Sequence, residues 1–350
     1  MNNNRRLSPN TGAYFISQEE YIKNIEMKNL RKISSGIGFY GFVYLITTIV
    51  LSISLMIYFL LMFPYSDSLY DSSSPNLYLL NNIIATASAV VPGIIYCKIS
   101  KNYLSYIMPV RYVKQGLLWP CVFIGMAVAM ISNIASVILE NNLSMFGIEN
   151  TAGSSYDIST VFDFIIVLIS VAVVPAFAEE FAFRGIIMGT MRKYGNAFAI
   201  IVSSAVFGAF HGNLSQIPFA FILGLVLGFI DCKTNSIIPS IIVHFINNAY
   251  AVTFGYLTTD GLFNERIVNT IYMLVVALFC ILGFISFIIL GKKYNGIFKI
   301  SNKSFNTSSA PQANVLRLKD KVVAFFTNPG VIILCIALLL ETIFSTQISL

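Results

Sequence analysis

The sequence predicts an all-α protein, a polytopic membrane helical bundle of about eight or nine transmembrane helices. Three observations lead there. Hydrophobic residues make up 56% of the 350-residue chain and charged residues only 11%, far from the ~25% charged of soluble domains. Several apolar runs reach or approach the ~20 residues that cross a bilayer as helix. The runs are continuous rather than alternating, which excludes a strand-based membrane barrel.

In chain order, spans are expected near 37–63, 77–97, 116–139, 161–191, 196–211, 217–231, 237–255, 267–290 and 329–348. The first, third and eighth are long uninterrupted apolar runs. Between 196 and 255, glycines, prolines and polar residues break the pattern into pieces shorter than a full crossing. Ahead of the first span, Ser17-Gln18-Glu19-Glu20 has the pattern of a capping box that opens a helix. Ile22, Ile25, Leu30 and Ile33 then form an apolar stripe among basic residues, the pattern of an interfacial helix. The first apolar run begins only after about 36 residues, which does not fit a cleavable signal peptide. Between 292 and 328 the chain is polar, and Asn302–Asn314 is rich in Ser, Thr, Asn and Pro, as in a flexible linker.

Loop charges orient the spans. Arg5, Arg6, Lys23, Lys28, Arg31 and Lys32 precede the first. Lys98, Lys101, Arg111 and Lys114, then Arg192 and Lys193, then Lys233, then Lys292, Lys293, Lys299, Lys303, Arg317, Lys319 and Lys321 follow at alternate crossings. The opposite loops hold Asp67, Asp71, Glu140, Glu149, Asp157, Asp260 and Glu265, with Arg266 as their one basic residue. This alternation follows the positive-inside rule and gives a cell-membrane protein with a cytoplasmic N-terminus and an outer C-terminus. The net charge of +6 is thereby explained by topology, and no nucleic-acid partner is implied. The five cysteines, Cys97, Cys121, Cys232, Cys280 and Cys335, lack metal-type spacing and read as unpaired packing residues. The organisation is therefore an arm over 1–36, two spans over 37–109, a core over 110–290, a basic linker over 291–328 and a last span over 329–350.

Ionisable residues inside apolar segments mark functional sites, because a charge at the helix centre costs ~2.5–3.5 kcal/mol on insertion scales. The first such cluster is Pro175-Ala-Phe-Ala-Glu179-Glu180-Phe-Ala-Phe-Arg184-Gly185. Adjacent helical side chains diverge, so the two glutamates cannot share one job. Glu180 and Arg184 are spaced to pair, with the acid N-terminal to the base. That leaves Glu179 as a candidate proton acceptor. Pro175 predicts a kink beside it, and Gly185 with Gly189 predicts a close helix contact. The structural alternative is a buried ion pair with Glu179 facing a wet seam.

The chain has only two histidines. His211 ends Phe207-Gly-Ala-Phe-His211, and a turn at Lys193-Tyr-Gly195 would make antiparallel helices of its flanks. Glu179 lies sixteen residues before Gly195 and His211 sixteen after, which places them at one depth. His244 and Asn248 share a helix face one turn apart. They suit either oxyanion stabilisation or metal ligation by His244 with Asn248 orienting it. Gly224 and Gly228 predict another close contact in the segment between. Each histidine alone would more simply be a packing residue.

Glu179-Glu180-x-x-x-Arg184, Phe207-x-x-x-His211 and His244-x-x-x-Asn248 together, in this order, resemble the motifs of the CPBP family. Its members are CAAX-protease and bacteriocin-processing membrane proteins related to type II CAAX prenyl endopeptidases. The resemblance covers roughly residues 110–290. It implies an intramembrane endopeptidase in which Glu179, helped by His211, activates water, while His244 and Asn248 stabilise the oxyanion. Glu180, Arg184 and Phe207 would support the site. The family carries a metalloprotease label, and a metal-free glutamate mechanism has also been argued for it. The usual His-Glu-x-x-His zinc helix is absent from the sequence. His211 and His244 with one glutamate could still form a three-ligand zinc site, and the metal-free route is the one preferred. The expected partners are the lipid bilayer and a hydrophobic or lipid-anchored peptide or protein, with CAAX-type, pheromone or bacteriocin processing all open.

Two rival readings fit the same residues. A non-catalytic immunity or scaffold protein could retain the fold for binding, although it would have no use for Glu179. A proton-coupled small-solute transporter could use the buried acids and histidines as a relay. That reading expects broken helices repeated in two halves, and here they occur only within 196–255.

Overall fold

In lipid, every backbone N–H and C=O must find a partner within the protein, so apolar runs of this length become helices. The computed structural model describes residues 17–62, 74–150, 158, 160–258, 263–300 and 315–348. Arg5, Arg6, Asp67, Asp71, Asp157, Asp260, Lys303 and the stretch Asn302–Asn314 lie outside those residues.

The helices are α1 (Gln18–Met62), α2 (Pro75–Ser100), the short α3 (Leu104–Ile107), α4 (Gln115–Met145), α5 (Val161–Tyr194), α6 (Asn196–Ala209), α7 (Gln216–Thr234), α8 (Ile238–Thr258), α9 (Glu265–Lys293), α10 (Leu318–Phe326) and α11 (Pro329–Phe344). Two short strands, β1 (Ile148–Asn150) and β2 (Thr346–Ile348), pair antiparallel, with Ile148 opposite Ile348. Rows of large apolar side chains face outward along α1 and α9, with Leu61 71% and Phe284 67% exposed. Contiguous apolar surface on that scale marks lipid contact.

Among the described residues, six helices (α1, α2, α4, α5, α7 and α9) are long and apolar enough to cross a membrane, and the α10–α11 pair, bent by 67°, is either a broken seventh span or a re-entrant loop. The helical bundle is as expected, and the count differs at identifiable places. α6 has 14 residues, about 21 Å of rise, short of a ~30 Å hydrocarbon core. It forms a helical hairpin with α7 inside the bundle. α8 has 21 residues, but Ser240, His244, Asn247 and Asn248 dilute its apolar character.

The arm and first span are one uninterrupted helix of 45 residues rather than two helices. Its start is as read: Glu20 N donates to Ser17 Oγ at 3.1 Å. Tyr21 and Ile25 of the first turns are 59% and 42% exposed, while further along Leu30 and Ile37 are fully buried in the cluster that also holds Leu316, Phe325 and Val331. Gly38 makes this approach possible, since a Cβ there would sit 2.3 Å from the Gly330 carbonyl carbon. Part of the expected linker is also structured: α10 buries Ala324 and Phe325. Glu26 joins these ends. It accepts from Val315 N at 2.9 Å and Leu316 N at 3.2 Å, and Lys321 Nζ lies 3.5 Å away.

The basic loops gather at one end of the bundle. Lys321 Nζ donates to Tyr194 O at 2.7 Å, Ile237 N donates to Pro109 O at 3.1 Å, and Ser236 Oγ donates to Arg111 O at 2.8 Å. All five cysteines are free thiols.

Candidate active site

The site is organised by an irregular helix. α5 contains two wide π-helical segments, Ile169–Val173 and Glu180–Met188, a feature that recurs at functional sites. Pro175 lies between them and has no N–H, so the carbonyl four residues earlier, that of Val171, loses its helical donor. Asn248 Nδ2 donates to this oxygen at 3.0 Å. Asn248 Oδ1 in turn accepts from Asn247 Nδ2 at 3.1 Å, and Asn247 Oδ1 accepts from Asn133 Nδ2 at 3.0 Å. Asn248 is thus engaged as a brace between α8 and α5. Only one of its two amide N–H groups is left for the expected oxyanion role.

Glu180 is completely buried and holds two partners on one oxygen. Arg184 Nη1 lies 3.2 Å from Oε1, as the spacing predicts. His244 Nδ1 donates to the same Oε1 at 3.0 Å, a contact the sequence did not reveal. The Arg184 guanidinium also lies over the Phe207 ring, 4.1 Å from its centre, a favourable cation–π placement. A carboxylate on Nδ1 keeps that nitrogen protonated and turns Nε2 outward.

Glu179 stands on the other side of that imidazole. Its Oε2 is 3.8 Å from His244 Nε2, and its side chain keeps 27% exposure. Oε2 itself is buried and has no hydrogen-bond partner. The two glutamates therefore have separate positions, yet both address His244, one at each ring nitrogen.

His211 completes the group. Its Nδ1 donates to Phe207 O at 2.9 Å, which leaves Nε2 as an acceptor. Glu179, His244 and Arg184 all lie near enough to act on it electrostatically. The Phe207 ring lies 4.9 Å from the His211 ring and 6.0 Å from the His244 ring, edge-on to both. It forms the apolar partition against which both imidazoles are set.

Several polar residues here were not singled out from sequence. Asp231 is buried, and Ser240 Oγ donates to its Oδ2 at 3.0 Å; an acid inside an apolar run was the available signal. Glu341 approaches from α11. Its Cγ lies 3.5 Å from where a Cβ on Gly212 would be, and its Oε2 is buried without a hydrogen-bond partner. The Ser345 hydroxyl donates to Gly212 O. Tyr44 of α1 stacks on Phe210 at 5.0 Å between ring centres and feels both Glu179 and Glu341. The turn that carries His211 is thus backed by both ends of the chain.

A zinc ion would need Glu179, His211 and His244 as its donors. Among the described residues no three His, Cys, Asp or Glu side chains are gathered closely enough to hold a metal ion. His244 and His211 each engage Nδ1, with Glu180 and with the Phe207 carbonyl, and keep Nε2 free, a pattern equally usual for ligating histidines. As placed, the three side chains are not gathered into a three-ligand centre.

Comparison with known proteins agrees with the motif reading. No curated protein and no solved structure matches the chain significantly. Residues 161–250, which carry Glu179, Glu180, Arg184, Phe207, His211, His244 and Asn248, match the family model described as type II CAAX prenyl endopeptidase Rce1-like, consistent with the CAAX-protease and bacteriocin-processing resemblance of the three motifs.

Proposed function

We propose that the protein is an intramembrane endopeptidase that hydrolyses a peptide bond in a hydrophobic or lipid-anchored substrate. The observation that carries the reading is the unequal state of the adjacent glutamates. Glu180 is completely buried, with Arg184 and His244 both engaging its Oε1, whereas the neighbouring Glu179 keeps 27% exposure, pairs with no lysine or arginine among the described residues and has only His244 Nε2 nearby, at 3.8 Å. A charge at this depth is costly, and a purely structural carboxylate would be paired.

In the proposed reaction, Glu179 takes a proton from water as the water oxygen bonds to the scissile carbonyl carbon. His211 Nε2 accepts the second water hydrogen as a hydrogen bond and orients the nucleophile. His244 acts in this step as the imidazolium: Glu180 holds its Nδ1–H, and its Nε2–H donates to the carbonyl oxygen as negative charge develops there. When the tetrahedral intermediate collapses, the carbon–nitrogen bond breaks and Glu179 returns its proton to the departing amine. Asn248 acts through the α5 backbone by holding Val171 in place. By the positive-inside rule the basic end lies in the cytoplasm, and peptides enter from that side. CAAX-type, pheromone and bacteriocin precursors are all substrates of the right chemistry, since each can bring an apolar or lipidated segment to membrane depth.

The test is a comparison of protein and peptide termini in cells carrying the wild type or Glu179→Gln. Termini that appear only with the wild type are expected, and Glu179→Gln should lower their formation by about 10²–10⁴-fold, with His211→Ala also strongly impaired. Identical termini at equal expression would overturn the peptidase assignment.

A further inference from the structure

A cavity of about 930 Å³ lies away from the proposed catalytic group, between α1, α2 and the end of α5. Its composition is divided. Lys32 from α1, Lys101 just past α2 and Lys193 at the end of α5 supply three ammonium groups from three elements. No aspartate or glutamate is among its described lining residues. The remainder is apolar and open to the side: Phe39 is 68% and Ile95 51% exposed, and Val43 lies deepest along α1. The helices are pinned at this depth by Tyr40, whose hydroxyl donates to Ala89 O at 3.0 Å and whose ring stacks on Tyr96 with 6.0 Å between centres.

Size and direction limit the occupant. From Lys32 to Val43 the groove runs about 16 Å along a helix rising ~1.5 Å per residue, close to one leaflet of a ~30 Å hydrocarbon core. Its basic mouth lies at the end of the bundle where the other lysine- and arginine-bearing loops gather. A ligand there must carry negative charge at the lysines and a chain that fills the apolar walls. We infer that this groove is a binding site for an anionic phospholipid of the leaflet at the basic end, its phosphate held by Lys32, Lys101 and Lys193 and one acyl chain lying between α1 and α2.

The full-length protein, stripped of lipid in detergent, is titrated with phosphatidylglycerol or phosphatidylcholine, and bound lipid is counted by native mass spectrometry. Phosphatidylglycerol is expected to bind at least tenfold more tightly, and the triple variant Lys32→Gln, Lys101→Gln, Lys193→Gln to remove that preference. Ile95→Trp, which keeps every lysine, should weaken binding by filling the groove, with thermal unfolding checking that both variants fold. Equal binding of the two lipids, or unchanged selectivity in the triple variant, would overturn the inference. So would displacement of phosphatidylglycerol by a farnesylated peptide, which would give the groove to substrate. The readout is binding alone, so it stands or falls separately from the peptidase reading.

Discussion

At the scale of residues, the adjacent glutamates differ because their surroundings differ. Glu180 compensates a buried guanidinium and orients an imidazole, so it belongs to the fold as much as to the chemistry. Removing one partner of a buried ion pair typically costs ~3–5 kcal/mol, because the other charge is left unmatched. Glu180→Ala is therefore expected to destabilise the protein on that scale, while Glu179→Gln leaves stability near wild type. Thermal or denaturant unfolding in detergent measures both. Equal losses of stability would mean that the proposed division between supporting and reacting carboxylate is wrong. The pairing of Glu180 with Arg184 was legible from their spacing in sequence. Its bond to His244 was not, because sixty-four residues separate the two and only the packing of α8 on α5 joins them. The brace between Asn248 and Val171 left a faint trace in sequence: Pro175 announces an orphaned carbonyl four residues earlier, without naming the donor that satisfies it.

At the scale of elements, long apolar helices were legible because span length and composition suffice to define them. The helix irregularities were not. The two π-helical segments of α5 flank Pro175, and no residue pattern encodes their register. The small residues of α5 were read as a close helix contact, and the helix they meet is the short α3. Gly189 meets it closely: a Cβ there would lie 2.0 Å from Ile107 O, and one on Gly185 would lie 3.0 Å from Met108 Sδ. The backbone of the 104–109 segment thus packs directly against the basic end of α5. Gly189→Ala must push that segment away, at an expected cost of ~1–3 kcal/mol. It should also shift α5 enough to lower activity, although it touches neither glutamate nor histidine. A variant with wild-type melting temperature and turnover would show that α3 does not help to position α5.

At the scale of the whole molecule, the two ends of the chain close on the segment that holds the motifs. α1 and α11 meet through Gly38 and Gly330, Glu26 ties α1 to the segment before α10, and β2 returns to pair with β1. The polar linker and lone last helix looked like appendages in sequence, because such contacts lie about three hundred residues apart along the chain. Their consequence falls on His211. Ser345 bonds the carbonyl of Gly212, and Glu341 rests against the same residue, whose φ of +59° makes the turn. Deleting residues 327–350 leaves the six long crossing helices intact, so insertion should survive. The His211 turn, however, loses its backing, and proteolysis of the substrate should fall at least tenfold, equivalent to ~1.4 kcal/mol of transition-state stabilisation. The paired substitution Glu341→Gln with Ser345→Ala separates a specific effect from a general loss of packing, since it keeps α11 in place. If α11 acts through the His211 turn, the paired variant reproduces much of the truncation's loss of activity at nearly unchanged melting temperature. If the truncated chain cleaves as fast as the full one, the C-terminal helix has no part in the site, and the bonds it makes to Gly212 serve stability alone.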